Sequence, residues 1–404
     1  MLITHSVLFF TDIFLLLSAS FILVVCLFFL IECIAALFPK TSSNSINNWH
    51  NSKITILVPA HNEELVIAAT LEQLKGVLKK QDRLLVVADN CSDRTAEIAR
   101  VMGASVIERC DSINKGKGYA LDYGLEFLKN NPPDVVVIID ADCTVHPGTI
   151  ERLTECVIST GRPAQAIYLM LKSKNSKSAK DFVSEFSNIV RNLVRPLGLD
   201  NLGINCPLLG TGMAFPWSAI RSVNLANGHL LEDLKLGLDL TIAGHKPVFC
   251  RGAKVTAYLP SSLQAAKSQK TRWVHGQLNL MQTYIPILLK EALFKKRLEL
   301  LGSVLDLCIP PFSLLVVIWF TVMTSCLLFA LLGASWIPTV ISFVAGFGFF
   351  IACSIAWNKF ARQDLPLSKL VAIPIYILWK IPVYFQFLVK PEKVWIRTER
   401  DEKT

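Results

Sequence analysis

Val135-Val136-Val137-Ile138-Ile139-Asp140-Ala141-Asp142 is the stretch on which the fold turns. Five consecutive β-branched residues suit a strand buried on both faces, as inside a parallel sheet covered by helices. The two carboxylates that follow would lie beyond the carboxyl end of that strand, where such sheets bind ligands. Carboxylates brought together there repel one another unless a cation or an acid–base task keeps them. Mg²⁺ and Mn²⁺ prefer oxygen ligands and commonly retain phosphate oxygens in their shell. Asp140 and Asp142 are therefore candidate metal ligands, with Asp140 also within reach of a ribose or a diphosphate.

Outward from this stretch, strand and helix patterns alternate. Strands are expected at 54–59, 84–88, 105–108 and 134–139, and helices at 63–80, 94–102, 118–129 and 148–159. This alternation predicts an α/β domain with a mainly parallel sheet covered on both faces. Farther on, 165–172 reads as a strand, 182–194 as an amphipathic helix and 231–243 as a helix.

Four further clusters carry chemistry. Asp89 ends an apolar run and opens the polar stretch Asp-Asn-Cys-Ser-Asp-Arg-Thr, where it could accept hydrogen bonds from a nucleobase; Asp93 in the same stretch reads as a helix cap. Lys115-Gly116-Lys117-Gly118 precedes a helix and suits either phosphate or a solvated turn. Glu232-Asp233 opens an apolar helix, where acids are favoured electrostatically; Asp233 is also placed to act as a general base. In Gln269-Lys270-Thr271-Arg272-Trp273, Arg272 could neutralise a diphosphate and Trp273 could stack on a sugar. The plain alternative for that motif is an amphipathic helix with a tryptophan at a bilayer surface.

The hydrophobic fraction of the 404 residues is 52%, high for a wholly soluble protein, and it is unevenly placed. Residues 7–37 are interrupted only by Asp12 and Glu32, and 303–357 only by Asp306. Both runs exceed the ~20 residues that cross a bilayer. The expected organisation is a transmembrane anchor at 1–37, a linker at 38–52, a catalytic domain at 53–290 and two membrane helices within 303–357. Residues 364–391 are apolar but contain Lys369, Lys380 and three prolines, so an interfacial or re-entrant helix is preferred to a span. A basic tail, 392–404, would follow in the cytosol.

Basic residues flank the apolar runs on one side, which predicts a multi-pass protein with its central domain cytosolic. The net charge of +9 suits anionic lipid and a nucleotide-diphosphate substrate. It is spread along membrane flanks without a nucleic-acid-binding motif, so no nucleic-acid partner is expected. Eleven scattered cysteines form no Cys-x-x-Cys pair; neither zinc nor a disulfide framework is indicated.

Taken in order, Pro59-Ala60-His61-Asn62-Glu63-Glu64, Asp89, Asp140-Ala-Asp142, Leu209-Gly210-Thr211-Gly212, Glu232-Asp233 and Gln-x-x-Arg-Trp resemble the family 2 glycosyltransferases. The resemblance covers roughly 53–280. It lies nearest the membrane-bound branch of bacterial exopolysaccharide transferases of the methanolan type, alongside cellulose and hyaluronan synthases. It implies a GT-A fold and an inverting transfer from a nucleotide sugar to a lipid-linked or polysaccharide acceptor at the inner membrane. Mg²⁺ or Mn²⁺ would be the cofactor, and export or polymerisation proteins the partners. Carried over by position, Pro59, Ala60, Asn62, Glu63, Asp89, Lys117, Asp140 and Arg272 would bind the donor, and Asp140 and Asp142 the metal. Gly210, Thr211, Gly212, Gln269 and Trp273 would face the acceptor, and Asp233 would be the base. Pro207-Leu208-Leu209 departs from the synthases' usual sequence before Gly-Thr, and only three clear spans are present. Both features count against processive export by this chain alone. A processive β-glycan synthase and a catalytically inactive nucleotide-sugar-binding scaffold remain the alternatives.

Overall fold

Residues 2–39, 51–173, 178–260 and 262–392 are described in this computed structural model. Most of the expected linker 38–52 and of the tail 392–404 lies outside the described residues. Helix α1 (Leu2–Ala35) is followed by β1 (Ile54–Ala60), α2 (Ile67–Lys75), β2 (Arg83–Asp89), α3 (Thr95–Val101), β3 (Ser105–Arg109) and α4 (Lys117–Leu128). Next come β4 (Val135–Ile138), β5 (Thr144–Val145), α5 (Thr149–Thr160), β6 (Ala164–Leu171), α6 (Ala179–Ile189) and α7 (Arg195–Asn201). The chain continues through β7 (Met213–Pro216), α8 (Trp217–Ile220), α9 (Glu232–Ile242), β8 (Val248–Tyr258) and α10 (Leu263–Phe294). It ends with α11 (Leu301–Leu307), α12 (Phe312–Leu331), α13 (Ile337–Ala356), α14 (Leu367–Leu370) and α15 (Ile373–Val389).

Packing divides these elements into two units. A helical unit gathers Met1–Pro39, Lys177–Ile204 and Gln277–Lys390; a sheet unit gathers Lys40–Ser176, Asn205–Gly276 and Pro391–Thr404. The expected domain 53–290 follows pattern along the chain, whereas this division by contact gives 177–204 and 277–290 to the helical unit.

The sheet unit holds eight strands in the order β3-β2-β1-β4-β7-β6-β8-β5. The half from β3 to β4 is parallel, as expected. The other half is mixed: β7 runs antiparallel to both β4 and β6, while β6 and β8 are parallel. Period-two alternation sorts the strand residues onto two cores. Ile54, Ile56 and Val58 join Val135, Val137, Leu71 and Leu153 on the face covered by α2, α3 and α5. Leu57, Val136 and Ile138 join Leu121, Leu125, Leu236 and Leu240 on the face covered by α4 and α9. Full burial on both faces explains why these strands are continuous apolar runs. From β1 the sheet grows toward β2 and β3 on one side and toward β4 on the other, so a crevice opens beyond the ends of β1 and β4.

The helical unit contains four helices long and apolar enough to cross a membrane: Phe9–Ala35, Phe312–Leu331, Ile337–Ala361 and Leu367–Val389. Phe29, Phe312 and Phe349 cluster where α1, α12 and α13 meet. Each charge that interrupts the apolar runs has a partner. Asp12 accepts a hydrogen bond from the Ser335 amide at 3.2 Å. Glu32 is fully buried and pairs with Arg195 Nε at 2.9 Å, while Arg195 Nη2 reaches Asp306 at 2.5 Å. Burial opposes the charge on Arg195, but the two carboxylates outweigh it and raise its pKa. At Gly198 a Cβ would lie 2.1 Å from the Glu32 carbonyl oxygen, so α7 and α1 touch backbone to backbone.

The single helix expected at 182–194 is interrupted by the π-helical turn Val190–Val194, in which the Arg195 amide bonds the Val190 carbonyl. Pro196 follows in the first turn of α7 and has no N–H for the i−4 carbonyl; widening the preceding turn accommodates that loss.

Candidate active site

The end of β4 delivers Asp140, half-buried, into the crevice of the sheet unit. Its amide is held by Thr211 Oγ1 at 3.0 Å, and its carboxylate pairs with Lys117 from the first turn of α4. Lys117 Nζ also donates to the Gly210 carbonyl at 2.6 Å. Burial works against the charge on Lys117, but Asp140, Glu232 and Asp233 prevail and raise its pKa. The Lys-Gly-Lys-Gly segment is thus no solvated turn at its second lysine, although Lys115 is exposed. Gly118 is required there, because a Cβ would lie 2.6 Å from the carbonyls of Leu225 and Asn227.

Gly210, Thr211 and Gly212 form the floor between the two acidic clusters. Gly210 (φ +96°) and Gly212 (φ +64°) occupy the left-handed region that disfavours side chains. A Cβ on Gly210 would lie 3.1 Å from Asp233 Oδ2 and 3.6 Å from Lys117 Nζ. The loop is braced from below by Gln165 on β6, a residue the sequence pattern did not single out. Its Oε1 accepts from the Leu209 amide at 2.8 Å, and its Nε2 donates to the Thr211 and Ala166 carbonyls at 2.9 Å. The available signal was a lone amide in an apolar strand. Tyr168, three residues along β6, is a second omission. Burial first, then Cys143, Asp142, Asp140 and Asp233, hold its phenol protonated.

Asp233 and Glu232 open α9 and line a small pocket with Lys117, Met213 and Asn227. Burial and the neighbouring Asp233 push Glu232 up to about 7, against the pull of Lys117 and Arg272. Gln269, Arg272 and Trp273 follow i, i+3, i+4 spacing on α10 and share one helix face. Gln269 Oε1 and Arg272 Nε are buried without a hydrogen-bond partner. Unpaired buried polar atoms are costly, and a ligand carrying donors and acceptors would satisfy them.

The expected nucleotide side assembles at the ends of β1 and β2. Asn62 (φ +55°) accepts from the Ser92 amide at 2.7 Å through Oδ1, and Cys91 Sγ donates to the Ala60 carbonyl at 3.5 Å. Pro59 lies within β1, paired with Val87 of β2. Glu63 is buried; its amide donates to Thr95 Oγ1 at 2.7 Å, and its carbonyl accepts the amides that open α2. Asp89 is buried at the end of β2, with Oδ1 ion-paired to Arg109 at 2.7 Å. Arg109 is a third omission: it faces Asp89 through the β2–β3 register, which no local pattern encodes.

Asp140, Asp142 and Cys143 each offer a ligand atom within 4.8 Å of the others. Burial, then the two carboxylates, hold the Cys143 thiol well above its usual range. Asp140 and Asp142 are hard oxygen donors, which fit Mg²⁺ or Mn²⁺.

The family described as "Glycosyltransferase like family 2" matches residues 50–276, more than half of the chain. This chain belongs to family 2 of the glycosyltransferases. Among its relatives, it is 28% identical over 253 residues to a probable glycosyltransferase, YdaM, of Bacillus subtilis, covering 58% of this chain and 59% of that one. It is 31% identical over 155 residues to the uncharacterized protein MJ1222 of Methanocaldococcus jannaschii, covering 38% and 62%. It is 37% identical over 108 residues to the low-salt glycan biosynthesis hexosyltransferase Agl6 of Haloferax volcanii, covering 26% and 25%. The alignments thus span less than two thirds of these relatives' lengths. The mannosyltransferase PcManGT of Pyrobaculum calidifontis, solved with GDP-Man and Mn²⁺, superposes with a TM-score of 0.54 at 13% identity over 94% of this chain and 99% of that one. That likeness shows the GT-A fold. In this family 2 glycosyltransferase Asn62 and Asp89 stand at the ends of β1 and β2, Lys117, Asp140 and Asp233 gather around Gly210, and Gln269, Arg272 and Trp273 stand on α10.

Proposed function

We propose that this family 2 glycosyltransferase moves a sugar from a nucleotide-diphosphate donor to an acceptor hydroxyl, with inversion at the anomeric carbon. The observation that carries the reading is the convergence on Gly210. Lys117 links that residue's carbonyl to Asp140, while Asp233 lies against its Cα, so a donor-side acid and an acceptor-side base meet across one glycine.

In the proposed step the acceptor oxygen attacks the anomeric carbon as the bond from that carbon to the diphosphate oxygen breaks. Asp233 takes the hydroxyl proton, and the nucleotide diphosphate leaves with the bonding electron pair. Asp140 and Asp142 would hold the divalent cation, which when bound neutralises charge on the diphosphate. Lys117 and Arg272 add fixed positive charge on the leaving-group side. Gln269 and Trp273 orient the acceptor end. PcManGT was solved with GDP-Man and Mn²⁺, which supports a nucleotide-sugar donor and a divalent metal here. UDP-sugar is the donor expected, with Asp89 and Asn62 on the nucleoside side.

The acceptor proposed is lipid-linked or a growing polysaccharide at the cytosolic face of the inner membrane. The route of the chain supports this layout. After α15, the Glu392 amide hydrogen-bonds His275 Nδ1 at 3.0 Å within the sheet unit. A chain that returns to the catalytic unit after α15 supports α14 and α15 as an interfacial segment, leaving α1, α12 and α13 to cross.

The test is nucleotide-diphosphate release by the purified full chain across UDP-, GDP- and dTDP-sugars, with Mn²⁺, Mg²⁺ or chelator. One donor should turn over with metal, and Asp142→Asn and Asp233→Asn should each abolish transfer. Full transfer by Asp233→Asn would overturn the assignment of the base. Product length separates single addition from processive synthesis.

A further inference from the structure

The turn that carries Asp140 and Asp142 is held from behind by α2, a helix that supplies no ligand of its own to the site. Thr70 lies on the buried face of α2, 2% exposed, beside Ile67, Leu71 and Leu74. A threonine inside a helix commonly returns its hydroxyl to the carbonyl four residues back. Thr154 on α5 does so to Ile150 at 2.8 Å, and Thr241 on α9 to Gly237 at 2.7 Å. Thr70 Oγ1 instead reaches 71 and 73 residues along the chain, to the carbonyls of Ala141 at 2.8 Å and Cys143 at 3.0 Å. Its one hydroxyl proton is shared between them.

These two carbonyls stand on either side of Asp142. One helical turn beyond Thr70, Gln73 Oε1 accepts the Val145 amide at 2.8 Å. Within the turn itself the Cys143 amide donates to the Asp140 carbonyl at 3.3 Å. Peptide units are planar, so holding the Ala141 carbonyl fixes the unit before Asp142, and holding the Cys143 amide fixes the unit after it. Ala141 and Cys143 pack into the core that contains Leu71 and Leu74, while Asp140 and Asp142 stay half-buried. Alternate side chains of the turn are thus anchored, and the acids between them are set in place.

We propose that Thr70, assisted by Gln73, is the positioning residue of the divalent-metal site. It presets the backbone on both sides of Asp142, so that this carboxylate meets Asp140 at a cation without rearrangement. A loop that must be ordered on binding loses affinity by that cost. Partners behind metal ligands typically change metal affinity by about 10- to 100-fold. Thr70 acts through the backbone, so its effect falls on the affinity for the metal. The proposal rests on Asp140 and Asp142 being the metal ligands.

The test titrates the full chain in detergent with Mn²⁺, alone and with excess UDP or GDP, and counts the free ion by electron paramagnetic resonance. Thr70→Val keeps the shape of the side chain and removes the hydroxyl. It should weaken Mn²⁺ binding about tenfold. The Mn²⁺ concentration for half-maximal turnover should rise by the same factor, an effect that excess Mn²⁺ overcomes. Thr70→Ser should keep wild-type affinity. Gln73→Leu, at an exposed position, should weaken binding about threefold, the effect of one ordinary hydrogen bond. Thr154→Val removes a fully buried hydroxyl from α5 and should leave Mn²⁺ affinity unchanged. Wild-type affinity in Thr70→Val, or an equal loss in Thr154→Val, overturns the positioning role. If Thr70→Val does not fold, wild-type affinity in Gln73→Leu overturns it. Asp142→Asn tests the underlying reading separately. Undiminished Mn²⁺ binding in that variant removes the metal assignment and the positioning role with it; loss there beside wild-type affinity in Thr70→Val refutes the positioning role alone.

Discussion

Two glycines with matched backbones separate strain from catalysis at the Gly210 loop. Gly210 has φ +96° with Asp233 and Lys117 beside it; Gly244, after α9, has φ +93° and open space, with nothing within 4 Å of where a Cβ would stand. Alanine in this conformation costs about 1–2 kcal/mol of strain at either position. Stability should therefore fall by similar amounts in Gly210→Ala and Gly244→Ala. Only the first places a methyl 3.1 Å from Asp233 Oδ2, closer than comfortable contact. The carboxylate must retreat by ~0.3 Å, and where a 1 Å misplacement costs about 100-fold this lowers kcat about fourfold. The assay is steady-state nucleotide-diphosphate release at saturating donor, beside thermal unfolding of both variants. Equal kcat values for the two variants would refute the claim that Gly210 sets the position of the base.

Other outcomes follow from the same geometry. Gln165→Leu leaves the buried Leu209 amide and Thr211 carbonyl without their side-chain partner, so stability should drop by about 2–4 kcal/mol in chemical denaturation, with kcat falling too. Glu32→Gln weakens the charge balance of buried Arg195 and should cost about 3 kcal/mol; replacing the whole ionic group, Glu32→Leu with Arg195→Met and Asp306→Leu, should recover most of it in thermal unfolding. Glu232 is raised to about 7 beside Asp233, the proposed base, so kcat/KM should climb as pH rises through neutrality and the pair loses its proton. In Glu232→Gln that rising limb should move to lower pH, and an unmoved limb would separate Glu232 from the titrating pair.

The parallel half of the sheet was legible because its strands are buried on both faces and write themselves as β-branched runs. In the second half β6 was read at 165–172, but β5, β7 and β8 were not. β8 carries Arg251 and Lys254, and its partner β6 has a register irregularity between Ala166 and Ile167, so clean alternation is lost. α10 was missed because polar residues fill its first turns and Pro286 lies inside it. At the site, the acids announced themselves at element ends. Their supports, Gln165, Tyr168 and Arg109, come from neighbouring strands and became visible only with pairing. The meaning of Glu32 was hidden in the same way: its partner Arg195 lies 163 residues away.

The backbone contact between Gly198 and Glu32 also bears on how interchangeable the parts of this chain are. A generic anchor helix can be exchanged for any apolar segment of the right length. α1 cannot, because it supplies both the counter-charge for Arg195 and the smooth surface onto which Gly198 closes. Deleting α1 would leave Arg195 with Asp306 as its remaining carboxylate partner and open the α7 surface, so such truncations should be accompanied by a change at Arg195. By the same logic, transplanting the sheet unit onto a foreign anchor requires carrying residues 177–204 with their own first helix.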